Sequence, residues 1–215
     1  MTSRIEPVDP RRPEPERLAA AVDLLKGGSL VAFPTETFYA LGADALNPEA
    51  VQRVFAAKGR PQGMPLPVIL GHREEVARVA AALPDGAAAL MDVFWPGPLT
   101  LVLRAADGLP PRLLGDGSTI GVRVSPHPVA LALARACGRP LVATSANRSG
   151  QPPPATAAEI EEHLGGSVAA ILDAGRTHGG SPSTIVDLTV EPPRLVRAGA
   201  ISSLAIESAL GRRLA

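Results

Sequence analysis

The chain has 215 residues, 46% of them hydrophobic, enough for one substantial core and, by size, for one domain rather than two. Acidic and basic side chains number 21 each, so bulk electrostatics give no case for nucleic acid or an anionic membrane surface. One cysteine, Cys137, excludes an internal disulfide and a multi-cysteine zinc site, and reads as a small buried hydrophobe near a helix end.

In chain order, residues 1–13 are poor in apolar side chains and interrupted by prolines, and read as an extended N-terminal arm. The same charges and prolines stand where a signal peptide needs a continuous apolar run, and no stretch is apolar for long enough to span a membrane. Cytoplasm is the expected location. From Glu14 to Lys26, Leu18, Val22 and Leu25 fall at helical spacing before the stop Gly27-Gly28. Residues 29–34 read as a buried strand. Asn47 caps a helix over Pro48–Lys58 whose Val51, Val54 and Phe55 share one face. Further strands are expected at 66–70, 99–103, 119–124, 140–144, 168–172 and 183–188, with helices at about 72–82, 85–94, 128–137 and 156–164. Residues 202–215 read as a closing helix after a domain over 14–201. The alternation implies a single-domain α/β protein with a largely parallel or mixed open sheet, whose ligand crevice lies beyond the carboxyl ends of strands. Thr35 and Ser145 both follow such ends.

Two rare residue types mark candidate chemistry. Lysine fills only two of the 21 basic positions, and one of them, Lys58, stands in Lys58-Gly59-Arg60-Pro61. A compact ammonium in an arginine-rich chain points to an anion such as phosphate. A solvated helix end favoured by the helix dipole is the plainer alternative. Asparagine also occurs twice, and Asn147 lies in Ser145-Ala146-Asn147-Arg148-Ser149-Gly150. That run offers a hydroxyl and an amide to a phosphate, base or ribose, or else forms an ordinary turn bonded to its own backbone. Arg123, flanked by apolar residues in a strand, either reaches an edge or is buried with a partner, and a carboxylate substrate is one such partner; Arg197 poses the same question. No Walker-type phosphate loop or dinucleotide fingerprint is present, and the four histidines lack metal-ligand spacing. The aromatic residues read as packing rather than as a platform for a base.

An ordered series of motifs then resembles the YrdC-like family of threonylcarbamoyl-adenylate synthases. It runs through Pro34-Thr35-Glu36-Thr37-Phe38-Tyr39-Ala40-Leu41-Gly42, Lys58-Gly59-Arg60-Pro61, Trp95-Pro96-Gly97-Pro98-Leu99-Thr100, Gly121-Val122-Arg123-Val124, Ser145-Ala146-Asn147, Ser183-Thr184-Ile185-Val186-Asp187 and Arg197-Ala198-Gly199-Ala200. The resemblance implies a twisted open α/β sheet with a large concave cleft. It also implies the reaction of L-threonine, bicarbonate and ATP to threonylcarbamoyl-AMP and pyrophosphate. By the same resemblance, Lys58, Arg60, Ser145 and Asn147 would hold the ATP, with Thr119 and Arg197 as further nucleotide contacts. Thr35, Arg123 and Ser183 would face threonine. Magnesium would travel with ATP without a protein cage. The product would pass to threonylcarbamoyl-transfer proteins that modify adenosine in tRNA, with tRNA itself a possible contact. The chain resembles the short form, without the extra C-terminal domain of longer members. Ala40 departs from the family, which generally has glycine there; a left-handed backbone would disfavour alanine. Two alternatives are an RNA-binding module with a basic cleft and a carbamoyl-adenylate transfer domain of the hydrogenase-maturation type.

Overall fold

Ten strands, some alternating apolar and polar and others buried on both faces, form one sheet in the computed structural model, which describes residues 3–61 and 63–215. The strands are β1 (Arg4–Pro7), β2 (Val31–Pro34), β3 (Tyr39–Asp44), β4 (Val68–Ile69), β5 (Leu99–Arg104), β6 (Thr119–Arg123), β7 (Leu141–Ser145), β8 (Ala170–Asp173), β9 (Thr184–Asp187) and β10 (Arg194–Arg197). The helices are α1 (Pro15–Lys26), α2 (Pro48–Lys58), α3 (Ala87–Phe94), α4 (Pro111–Leu114), α5 (Pro128–Cys137), α6 (Ala157–Leu164) and α7 (Ser203–Leu210), with a 3-10 turn over Arg73–Arg78. In space the strand order is β1-β8-β2-β3-β7-β4-β6-β5-β9-β10. The sheet is mixed: β1–β8, β2–β8, β4–β6 and β5–β9 are parallel and the remaining neighbours antiparallel.

Several elements differ from the sequence expectation for local reasons. The stretch read as an arm supplies β1, which pairs in parallel with β8 from Arg4 to Pro7. The run Tyr39–Asp44, rich in alanine and glycine, has weak strand propensity, yet it is fully buried between β2 and β7 and gains its ladders from both sides. Gly42 is needed there because a Cβ would stand 2.5 Å from the Phe33 ring. The helix expected over 72–82 shortens to the 3-10 turn. Ala40 lies in the extended β3 ladder, opposite Phe33 and Ser145, and no non-glycine residue described has positive φ. The alanine therefore carries no backbone strain.

The two faces of the sheet are unequally covered, and this makes the cleft. On one face, Leu41, Val68, Leu101, Val122, Val142 and Val186 join a core closed by α2, α3, α6 and α7. On the other, α1 and α5 cover Val31, Phe33, Leu141 and Ala170, leaving the rest of that face open. Along the open part the alternate residues turn small, short or polar: Thr100 and Val102 on β5, Thr119, Gly121 and Arg123 on β6, Ala143 and Ser145 on β7. Thr119, Gly121 and Arg123 interleave with the buried Ile120 and Val122, so the period of two presents hydroxyls and a guanidinium to one side only. Cys137 ends α5, 4% exposed, and burial pushes its thiol up to about 11, which keeps it inert.

Candidate active site

The open face is the floor of a cleft of about 710 Å3. Of the nine residues singled out from the sequence, the structure brings eight to its walls: Thr35, Arg60, Thr119, Arg123, Ser145, Asn147, Ser183 and Arg197. Lys58 is the exception. It ends α2 and is only 3% exposed, so it stands behind the cleft wall. Its ammonium donates to the carbonyls of Ser145 and, at 2.7 Å, of Asn147, and its own carbonyl accepts from the Ser149 amide at 2.8 Å. The lysine thus fixes the end of β7 from behind. Burial pushes its pKa down to about 8, with the charge of Arg60 acting in the same direction.

The α2 terminus explains how Lys58 and Arg60 take different places. Asn47 caps the helix through its side chain, and Gly59 ends it in the left-handed region at φ 57. That reversal sends Arg60 into the cleft while Lys58 faces inward. Arg60 donates through Nη2 to the Pro65 carbonyl at 3.0 Å, but its Nε is buried without a partner. Burial also lowers its pKa from the ordinary arginine value. Asn147 donates through Nδ2 to the Arg148 and Gln151 carbonyls at 2.8 and 2.7 Å, while its Oδ1 is buried and unpartnered. The run Ser145–Asn147 is therefore both a self-bonded turn and a wall with an unfilled acceptor. Ser145, exposed to the cleft, completes it.

The other wall is built on β5, β6, β9 and β10. Arg197 donates through Nε and Nη2 to the Ser183 carbonyl at 3.1 and 2.8 Å, and through Nη2 to the Ser183 hydroxyl at 3.0 Å. The Thr100 hydroxyl lies 2.9 Å from the Ser183 hydroxyl. Burial, then the neighbouring Arg123 charge, lowers the Arg197 pKa. Thr35 closes the turn between β2 and β3: its hydroxyl donates to the Phe38 carbonyl at 2.6 Å and accepts the Thr37 amide at 3.4 Å, leaving one lone pair for a ligand. This tight hairpin supplies the β2–β3 pairing, one of five antiparallel pairings among the described residues. Arg123 pairs with Glu36 in the same turn, and Glu36 also accepts from the Ser125 hydroxyl at 2.8 Å. Burial acts to raise the Glu36 pKa, but the Arg123 charge and the hydrogen bonds prevail and hold it below the usual carboxylate value.

Sequence reasoning assigned no role to Glu36 or Thr100, although both lie inside quoted motifs. A polar residue inside the apolar β5 was the available signal for Thr100. Phe33, Tyr39 and Phe55 pack the core, as expected, while Phe38, partly exposed, also reaches the cleft. The charged residues lining the cleft are arginines, with no aspartate or glutamate among the described lining residues. A net-neutral chain has gathered positive charge in one concavity, which suits an anionic ligand bearing phosphates or a carboxylate. Among the described residues no helix is long and apolar enough to cross a membrane.

The profile of the Sua5/YciO/YrdC family, described as telomere recombination, matches residues 23–199. A threonylcarbamoyl-AMP synthase from Pyrococcus abyssi is 42% identical over 200 residues, covering 93% of this chain and 59% of its own length. One from Halorhodospira halophila is 41% identical over 165 residues, covering 77% of this chain and 86% of its own. The crystal structure of P. abyssi Sua5 complexed with L-threonine superposes with a TM-score of 0.93 at 41% identity, over 99% of this chain and 63% of that one. This chain thus spans about three fifths of the archaeal protein's length, and by its profile match and its identity to these relatives it belongs to the Sua5/YciO/YrdC family.

Proposed function

We propose that this protein is an L-threonylcarbamoyladenylate synthase, joining L-threonine, bicarbonate and ATP into threonylcarbamoyl-AMP with release of pyrophosphate. The observation that carries this reading is the pair of unfilled polar atoms on the arginine-lined wall, the Arg60 Nε donor and the Asn147 Oδ1 acceptor. A buried donor on a cation calls for an anionic oxygen, and a buried amide oxygen calls for an N–H or O–H. A nucleotide supplies both, through its phosphates and its ribose or base. Arg60, Ser145 and Asn147 then hold the nucleotide on one wall, and Thr119 and Arg197 hold it on the other. Thr35, Arg123 and Ser183 receive threonine, with Arg123 facing its carboxylate.

The reaction asks the protein to bring a carbamate oxygen to the α-phosphorus and to neutralise the charge that develops as pyrophosphate leaves. Positioning and fixed positive charge supply this, and the cleft offers both. Magnesium would accompany the phosphates rather than bind a protein carboxylate, since the described lining carries none. It would add charge neutralisation on the phosphate oxygens. The labile product would pass to a transfer protein acting on tRNA adenosine.

The test is mass-spectrometric detection of threonylcarbamoyl-AMP, with pyrophosphate release, from purified protein given ATP, magnesium and threonine with and without bicarbonate. Bicarbonate-dependent product is expected. Threonine adenylation without bicarbonate, or tight salt-dependent RNA binding by folded protein that turns over no ATP, would overturn the reading.

The depressed Lys58 pKa gives a pH dependence with a definite sign. Bound phosphate favours the ammonium, so nucleotide affinity is expected to be flat below about pH 8 and to fall by up to about tenfold per pH unit above it. Calorimetric titration of a non-hydrolysable ATP analogue from pH 7 to 9.5 checks this, and Lys58→Met is expected to remove the inflection. Stability moves oppositely: the folded pKa is depressed, so the Lys58 contribution opposes folding at neutral pH and is relieved as pH rises from about 8 toward the unfolded value.

A further inference from the structure

Among the described residues, the Arg123 guanidinium is the one cation lining the cleft that is itself paired with a protein carboxylate. Both partners are largely buried, their side chains 12% and 18% exposed for Arg123 and Glu36. The pair is tied further into the fold. Glu36 stands in the turn between β2 and β3, Arg123 ends β6, and the Ser125 hydroxyl donates to Glu36 at 2.8 Å while accepting the His127 amide at 3.2 Å at the start of α5. One carboxylate therefore locks together three chain segments that meet at the cleft floor. Glu36 is not among the residues lining the cleft, so it reaches the ligand only through Arg123.

The geometry leaves the arginine usable. Glu36 accepts from Nη1, and the Arg123 guanidinium makes no other hydrogen bond among the described residues. None of its remaining nitrogens is both buried and unpartnered, so the rest of the fork opens to the cleft. A guanidinium carries five N–H donors in a planar fork, enough to hold one carboxylate from the side and a second from the front. An arginine already held in one rotamer loses little further freedom when a ligand arrives, which favours binding over a mobile side chain.

We propose that Glu36 is the positioning residue that presents Arg123 to the carboxylate of the amino-acid substrate. This rests on the reading that Arg123 receives that carboxylate, and it adds a role for a residue that touches no substrate. The charge of Glu36 opposes a second carboxylate, so its contribution is geometric, and an isosteric amide that can still accept from Nη1 should serve nearly as well.

The experiment measures steady-state KM for threonine and for ATP in wild type, Glu36→Ala, Glu36→Gln, Arg123→Ala and the Glu36→Ala/Arg123→Ala double variant. Glu36→Ala is expected to raise the threonine KM about tenfold or more, with the ATP KM within about twofold of wild type. Glu36→Gln should restore the threonine KM to within about threefold. The double variant should bind threonine no worse than Arg123→Ala, because positioning has no object once the arginine is gone. If Arg123→Ala raises the threonine KM but Glu36→Ala leaves it unchanged, or raises both KM values alike, the positioning role is overturned. If Arg123→Ala itself leaves the threonine KM unchanged, the carboxylate reading fails and the proposal falls with it. Glu36→Gln keeps the test open should Glu36→Ala fold poorly, since a threonine KM raised in Gln as far as in Arg123→Ala also overturns it.

Discussion

Lys58→Met is expected to lower the rate of threonylcarbamoyl-AMP formation by about 100-fold or more while the protein stays folded at 25 °C. The side chain is 3% exposed and donates to the Ser145 and Asn147 carbonyls, so it sets the two residues proposed to meet the nucleotide and places a cation behind them. Methionine fills a similar volume without donors or charge. Two opposing effects decide the stability. Two carbonyls lose a donor, at about 1–3 kcal/mol each where water cannot replace it. Against this, a buried ammonium whose pKa has been pushed down to about 8 is no longer held out of water. The second effect cancels much of the first, so a net loss of about 1–3 kcal/mol is expected, which in a chain of 215 residues lowers Tm by roughly 2–12 °C. Paired measurements of turnover and thermal unfolding check this. Wild-type turnover from Lys58→Met would remove the lysine from the nucleotide site, and complete unfolding would make it a structural residue first.

The second large effect is expected from Gly199→Ala, a change that deletes nothing. A Cβ at residue 199 would stand 2.2 Å from the Pro182 carbonyl oxygen, 2.5 Å from the Thr184 nitrogen and 2.6 Å from the Ser183 carbonyl carbon. These are backbone atoms, and Thr184 begins β9, so they cannot swing aside as the end of a long side chain could. The segment after β10 must move off Ser183 instead. That breaks the bonds from Arg197 to the Ser183 carbonyl and hydroxyl and the bond from the Ala200 amide to Pro182. A displacement of about 1 Å at a positioning residue costs about 100-fold in rate, and overpacking of this kind costs about 1–3 kcal/mol in stability. Gly199→Ala is therefore expected to reduce kcat/KM for both ATP and threonine by about two orders of magnitude, because the proposed site gives Arg197 to ATP and Ser183 to threonine. Steady-state kinetics with each substrate varied in turn checks this, and a loss confined to one substrate would refute the shared-wall account. Gly59→Ala is the informative contrast. Its Cβ meets nothing, so only the backbone strain at φ 57 is expected to register.

These two predictions show where reading the sequence succeeds and where it stops. Lys58 and Asn147 could be singled out because they are rare residue types, and rarity needs no coordinates. Glu36 and Thr100 could not, because glutamate and threonine are common and their meaning lies in what faces them across the fold: Arg123 from β6 and Ser183 before β9. Gly199 was visible only as part of a motif, since nothing local demands glycine there; the demand comes from backbone some 15 residues away. Strands β5 and β6 were legible from their alternation and β7 as a short apolar run after Pro140. Strand β3 was not, because its alanines and glycine have little strand propensity and are held by neighbours on both sides.

By itself, then, the sequence determined the α/β alternation, the capped α2 helix ending beside a lysine, and the set of polar and basic residues able to meet an anionic ligand. These follow from short-range physics: periodicity, capping, backbone restrictions and side-chain chemistry. Tertiary structure alone decided that one half of one sheet face stays uncovered by α1 and α5, that Lys58 acts from behind the wall while Arg60 enters the cleft, and that Arg123 is held by Glu36. Those outcomes depend on which residues, distant in sequence, share a face and who else competes for each hydrogen bond, and no local pattern encodes that competition.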